Sequence, residues 1–121
     1  MAAGRGGVNR WLMVYSESLA DRVRQVFGRR RGLTEKKMFG GVGFLLRGNM
    51  SVGIWKSSLI ARVGPDAHAD ALAQPHVREF DITGRPMAGW VLVEPEGIDD
   101  DAALRSWIDR AVEFVGTLPG K

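Results

Sequence analysis

The sequence contains no cysteine. That absence removes disulfides, thiolate metal ligands and thiol nucleophiles together, and it suits a reducing compartment. No stretch approaches the roughly 18 consecutive apolar residues that span a bilayer. The apolar run nearest the start, Trp11-Leu12-Met13-Val14-Tyr15, falls below the roughly 7–15 residues of a secretory core. No membrane association is expected, and the cytoplasm is the expected location. Histidine is scarce. His68 and His76 lie on either side of Pro75, with Asp66, Asp70 and Glu79 nearby, but no further ligands stand at metal-site spacing. They read as polar residues of a surface helix and loop, and no metal or cofactor is expected. No serine sits in a Gly-x-Ser-x-Gly context.

Glycine is plentiful, but not in a phosphate-binding arrangement. The run Gly40-Gly41-Val42-Gly43 lacks the Gly-Lys-Ser/Thr end of a phosphate loop, and Leu46 fills the last position of a Gly-x-Gly-x-x-Gly match. The better reading is a strand that bends or is approached closely. The acidic run Asp99-Asp100-Asp101 is explained by a helix start, and Glu94 and Glu96 flank a proline turn. Nothing in the chain assembles a catalytic constellation, so a non-enzymatic protein is expected.

Acids are also scarce in the first half. Residues 1–62 hold twelve lysines and arginines against three acids, whereas residues 63–121 hold five against eleven. Arg22, Arg24, Arg29, Arg30, Arg31, Lys36 and Lys37 fall at the end of a first helix and in its exit loop. Such a cluster can neutralise phosphates, although no helix-turn-helix, zinc-finger or stacking-aromatic signature accompanies it. The simpler reading is a solvated face, with the neighbouring Phe27 and Phe39 belonging to the core.

With 121 residues the chain is long enough for one domain with its own core. Residues 1–12 read as a glycine-rich tail, 13–116 as the domain and 117–121 as a C-terminal tail. Ser16 is a helix N-cap, and Tyr15, Leu19, Val23, Val26 and Phe27 share one face of a helix over 16–30, stopped by Gly28 and Gly32. The period then changes to two. With Lys36–Phe39 in front, the segments around Val42-Phe44-Leu46, Met50-Val52-Ile54 and Leu59-Ala61-Val63 form an antiparallel meander, turning at Gly48-Asn49 and Lys56-Ser57-Ser58. Ala67–Ala73 is a short helix, Val77–Asp81 and Trp90–Val93 are extended, and Thr83-Gly84-Arg85-Pro86 is a loop. Leu104, Trp107, Ile108, Ala111 and Val115 mark a last amphipathic helix ended by Gly116 and Pro119. The expected fold is α+β in two layers: an antiparallel sheet of about five strands with helices packed on one face, in the order helix, strands, short helix, strands, helix.

The block Leu33-Thr-Glu-Lys-Lys-Met-Phe-Gly-Gly-Val-Gly-Phe-Leu-Leu-Arg-Gly-Asn-Met50 resembles the signature of the TfoX/Sxy N-terminal domain. Its marks here are Lys37, Met38, Phe39, Gly40, Gly41, Phe44, Gly48, Asn49 and Met50. Later segments agree in order: Arg62-Val63-Gly64, then Thr83-Gly84-Arg85-Pro86-Met87 with Gly89, then the acidic start of a helix that contains Trp107. The resemblance spans residues 13–116, and with the sequence stopping at Lys121 a stand-alone N-terminal domain is expected. It implies a two-layer fold with an antiparallel sheet, a link to the regulation of natural competence, and partnership with the cyclic-AMP receptor protein at promoters. It implies no catalytic residues.

Lys36, Lys37, Arg47, Arg62 and Arg85 lie at bends and turns that do not themselves require charge. With Arg29, Arg30 and Arg31 they are the candidate residues for contact with a partner protein or nucleic acid. The leading expectation is a regulatory module acting by protein–protein contact, marked by an apolar patch around Trp55, Trp90 or Met87 rimmed by charge. The second is a weak, non-specific nucleic-acid binder using the basic cluster. The third is a small-molecule sensor or enzyme, which would require a deep polar pocket. A homodimer through a sheet edge or helix face stays open as a further partnership, although no particular residue argues for it.

Overall fold

The computed structural model describes residues 15–38, 40–81 and 84–121. The tail over 1–12, Phe39 as a core residue and Thr83 in its loop therefore lie outside the described residues.

Six strands form one antiparallel sheet: β1 (Leu33–Met38), β2 (Gly41–Leu46), β3 (Asn49–Trp55), β4 (Ser58–Arg62), β5 (Val77–Glu79) and β6 (Trp90–Val93). Their spatial order is β1-β2-β3-β4-β6-β5. Three α-helices accompany them among the described residues: α1 (Glu17–Phe27), α2 (His68–Leu72) and α3 (Asp101–Val115). The architecture is the two-layer α+β arrangement expected, with a sixth strand.

Helix α1 starts where Ser16 Oγ accepts the Leu19 N–H at 3.1 Å, as its N-cap role requires. It ends at Phe27, three residues earlier than its periodicity suggests, because Gly28 takes a positive φ of 59° and turns the chain. Arg29, Arg30 and Arg31 thus lie beyond the helix, exposed. In α3, Asp100 caps the start and Leu104, Trp107, Ile108, Ala111 and Val115 are all buried, the predicted stripe residue for residue.

The β2–β3 turn falls one residue earlier than expected. Leu46 pairs with Asn49, leaving Arg47 and Gly48 at the turn with φ of 51° and 83°. Asn49 is excluded from the turn because its side chain is buried and donates to the Pro119 carbonyl at 2.9 Å. Residues 117–121 pack onto this hairpin, where the Lys121 N–H donates to Arg47 O at 2.8 Å. A bulge interrupts the β2–β3 ladder, with Phe44 opposite Val52 but Leu45 opposite Met50. The extra residue, Ser51, is buried and donates to Phe44 O at 2.8 Å. The glycine that opens β2 answers a different demand. A Cβ on Gly41 would stand 1.9 Å from the Ile54 carbonyl oxygen.

The main core lies between the helices and one face of the sheet. Leu19, Val23 and Phe27 of α1 and the α3 stripe meet Val42, Phe44, Val52, Ile54, Leu59, Ala61, Val91 and Val93. Phe27 stacks on Phe44 with ring centroids 5.8 Å apart. The opposite face carries a separate small cluster of Ile60, Phe80 and Leu92, with Met50, Trp55, Met87 and Trp90 packed around it. Among the described residues, no helical residue belongs to that second cluster.

Candidate functional site

Strand register decides which face each candidate side chain occupies, because paired residues share a face and neighbours alternate. Lys37 pairs with Val42, a residue of the helix-side core, whereas Lys36 pairs with Gly43 on the opposite face. The two lysines therefore do not share a surface. Arg62 pairs with Trp90 on the open face. Its guanidinium lies 5.0 Å from the Trp90 ring centroid and 5.6 Å from that of Phe114, at the rim where the two faces meet.

Arg29, Arg30, Arg31 and Arg47 converge at one end of the sheet. The Arg47 N–H donates to Gly32 O at 2.9 Å, which sets the β2–β3 turn against the loop that carries the three arginines. Lys121 joins them through its bond to Arg47. Arg85 is exposed in the loop between β5 and β6, whose strands lie on the far side of β4 from the β2–β3 hairpin.

Two members of the sequence cluster are drawn into the fold instead. Arg24 forms a bidentate pair with Glu35, at 2.7 and 2.9 Å, and also contacts Asp21 at 2.6 Å. This pairing clamps α1 to β1 and holds the Glu35 carboxyl below the ordinary glutamate range. Arg22 donates to the Ile98 carbonyl at 2.7 Å and to Asp101 at 3.0 Å, tying α1 to the start of α3. Among the described residues, Arg29, Arg30, Arg31, Arg47, Lys36, Lys56 and Arg62 have no ion-pair partner.

The opposite end of the sheet collects acids: Glu17 at the start of α1, Glu94, Glu96, Asp99 and Asp100 between β6 and α3, and Asp101 at the start of α3. The sequence asymmetry thus becomes a spatial one. Both long helices run toward the basic end, so their negative dipole ends face the arginines and their positive ends face the acids.

The open face reads as three cross-strand rows. The middle one runs Lys36, Gly43, Gly53, Ile60, Leu92 and Arg78, each directly paired with the next. On one side stand Leu45, Met50, Arg62 and Trp90, and on the other Met38, Trp55 and Ser58. Met38, Met50, Trp55, Met87 and Trp90 are half-buried. Lys56 Nζ sits 4.6 Å from the Trp55 ring centroid. Arg78 is engaged by Glu94, which also accepts from Ser58 Oγ at 3.1 Å. Those donors, Arg78 first, hold the Glu94 carboxyl below its ordinary range.

His68 and Glu79, weighed above as metal ligands, hydrogen-bond to each other at 3.0 Å. His68 Nδ1 accepts the Gly89 N–H at 3.0 Å, so Nε2 carries the proton and donates to Glu79. The pair fastens α2 to β5 and to the turn before β6. His76 and Ser106 line an open recess of about 310 Å³ beside Trp107, and no hydrogen bond joins them.

The sequence marks Trp55, Trp90 and Met87 as a candidate patch and the run ending in Gly43 as a place of close approach, but it does not bring Gly43, Gly53, Met38 and Met50 together with them. The available signal was glycine at alternating strand positions, which marks a place where something larger approaches.

An antiparallel sheet with the described helices on one side and an apolar face on the other defines a small two-layer α+β domain. The chain belongs to the TfoX N-terminal domain family, whose model matches residues 25–115. Comparison with curated proteins and with solved structures found no match.

Proposed function

We propose that the protein is a non-enzymatic regulatory module acting by protein–protein contact, and that the contact surface is the open face of the sheet. The observation that carries this reading is the half-buried group of Met38, Met50, Trp55, Met87 and Trp90 on a face with no described helix over it. Such a patch, rimmed by Lys36, Lys56 and Arg62, has the apolar centre and charged border of an interface. Family membership supports a role in competence-related regulation, and the resemblance of the signature block supports the cyclic-AMP receptor protein, or machinery bound with it at promoters, as the partner. The cytoplasm is the proposed location. No helix among the described residues is long and apolar enough to cross a membrane.

The test is biolayer interferometry between the purified chain and purified cyclic-AMP receptor protein, with and without promoter DNA. Saturable binding in either condition supports the reading, and no binding in both removes this partner.

A second reading has its own observation. Arg29, Arg30, Arg31 and Arg47 gather exposed at one end without ion-pair partners among the described residues, which suits a phosphate backbone. Affinity for duplex DNA that falls steeply with salt and disappears in Arg29→Ala/Arg30→Ala/Arg31→Ala would favour it.

A further inference from the structure

The middle of the open face is a trough. Gly43 and Gly53 pair directly across β2 and β3, so two adjacent strands lack side chains at the same level. Lys36 stands at one end of this row and Ile60 follows at the other. Two methionines fold into the gap from either side. A Cβ on Gly43 would lie 3.2 Å from Met38 Cε and 3.3 Å from Met50 Cε, and a Cβ on Gly53 would lie 2.6 Å from Met50 Cε. Both methionines are unbranched and swing at low cost, so they fill the trough when it is empty and can line it when it is filled.

Charge on this face is one-sided. The acid Glu94 and the base Arg78 are spent on one another, and Asp81 lies 3.7 Å from the same arginine. The remaining cations, Lys36, Lys56 and Arg62, have no acid beside them among the described residues. An occupant complementary to this face has apolar side chains for the methionine-lined floor and acids for its rim.

The aromatic rings argue against a nucleic-acid strand here. Base stacking requires an open ring face. Lys56 covers Trp55, while Trp90 is flanked by Arg62 at 5.0 Å and by Phe80 at 6.0 Å between ring centroids.

We infer that the Gly43–Gly53 trough is a docking site for an acidic amphipathic segment of a partner protein. Its apolar side chains displace Met38 and Met50 from the floor, and its carboxylates meet Lys36, Arg62 and Lys56. This inference rests on the protein-contact reading above and adds the chemistry of the partner.

The experiment uses the whole chain with 13C-labelled methionine methyl groups. The probe is a helical 14-residue peptide with leucine on one face and glutamate on the other. Its counterparts are the same peptide with lysine for glutamate and a 12-nucleotide oligo-dT. The expected result is a saturable shift of the Met38 and Met50 methyl resonances with the acidic peptide, with affinity at least tenfold weaker for the lysine peptide. Lys36→Glu/Arg62→Glu, two substitutions outside the core, should weaken the acidic peptide at least tenfold while leaving the amide spectrum folded.

Unmoved methyl groups at saturating peptide would overturn the inference, as would equal affinity for the two peptides. Displacement of the acidic peptide by oligo-dT would assign the face to single strands. Shifts that grow with protein concentration alone would assign it to a second copy. Receptor binding that leaves the Met38 and Met50 methyls unmoved would sink the docking chemistry and keep the module reading. Peptide docking without any receptor binding would do the reverse.

Discussion

Gly41 and Asn49 each meet a specific demand of the fold. At Gly41 the requirement is space, since a methyl group would overlap the Ile54 carbonyl oxygen at 1.9 Å and β2 would have to move away from β3. Gly41→Ala should therefore cost on the order of 3 kcal/mol, at the upper end of overpacking. Gly120→Ala, whose new methyl would meet only Arg47 at 3.6 Å, should stay within about 0.5 kcal/mol. Urea denaturation of both variants checks the contrast. At Asn49 the requirement is a hydrogen bond. Removing the buried amide in Asn49→Ala leaves the Pro119 carbonyl without its donor and should cost about 1–2 kcal/mol. Hydrogen exchange should show the Lys121 amide losing protection first, because its bond to Arg47 O depends on the same docked segment. Both residues belong to the motif block that was visible in the sequence, but their reasons were not. A carbonyl 13 residues away at Ile54, and another 70 residues away at Pro119, are facts of tertiary contact.

Among the elements, α3 was legible almost completely, because a long amphipathic stripe identifies its own face. Helix α1 was legible except at its end, where Gly28 overrode the continuing run of helix-compatible arginines. The short strands were harder. β5 holds only three residues, too few for alternation to declare itself, and its place at the edge, with β6 between it and β4, comes from the sheet order. The clamp between α1 and β1 also depends on partners that no local pattern announces. It makes a prediction about acid. Glu35 and Glu94 titrate lower in the folded chain than in the unfolded one, so their contribution is present above the unfolded value of about 4.3 and is lost as pH falls through the depressed folded values. Urea midpoints at pH 7, 5 and 3 should be similar for the first two and lower for the third. In Arg24→Ala the drop between pH 5 and pH 3 should be smaller, because Glu35 then titrates closer to its ordinary value.

Across the whole molecule, the fold sorts one sequence-level property into two surfaces. Twelve basic residues in the first half suggested a single cationic region. Register divides them: Arg29, Arg30, Arg31 and Arg47 form an end, Lys36 and Arg62 border an apolar face, Lys37 lies on the helix side, and Arg22 and Arg24 are used in holding α1. A shift of one residue in any strand would exchange these assignments, so composition could not have resolved them. The apolar face was foreshadowed by its tryptophans, but its glycine floor emerges only when β2 and β3 are aligned. The fold therefore sets the proposed contact face apart from the basic end, and that separation can be measured directly. Binding of purified cyclic-AMP receptor protein would be compared for Lys36→Glu/Trp55→Ala and for Arg29→Ala/Arg30→Ala/Arg31→Ala, each confirmed folded. The account predicts at least a tenfold loss for the open-face variant and less than a twofold change for the arginine variant, as a centre-versus-periphery difference in an interface would give. Loss of binding in the arginine variant with full binding in the open-face variant would contradict it and place function at the basic end.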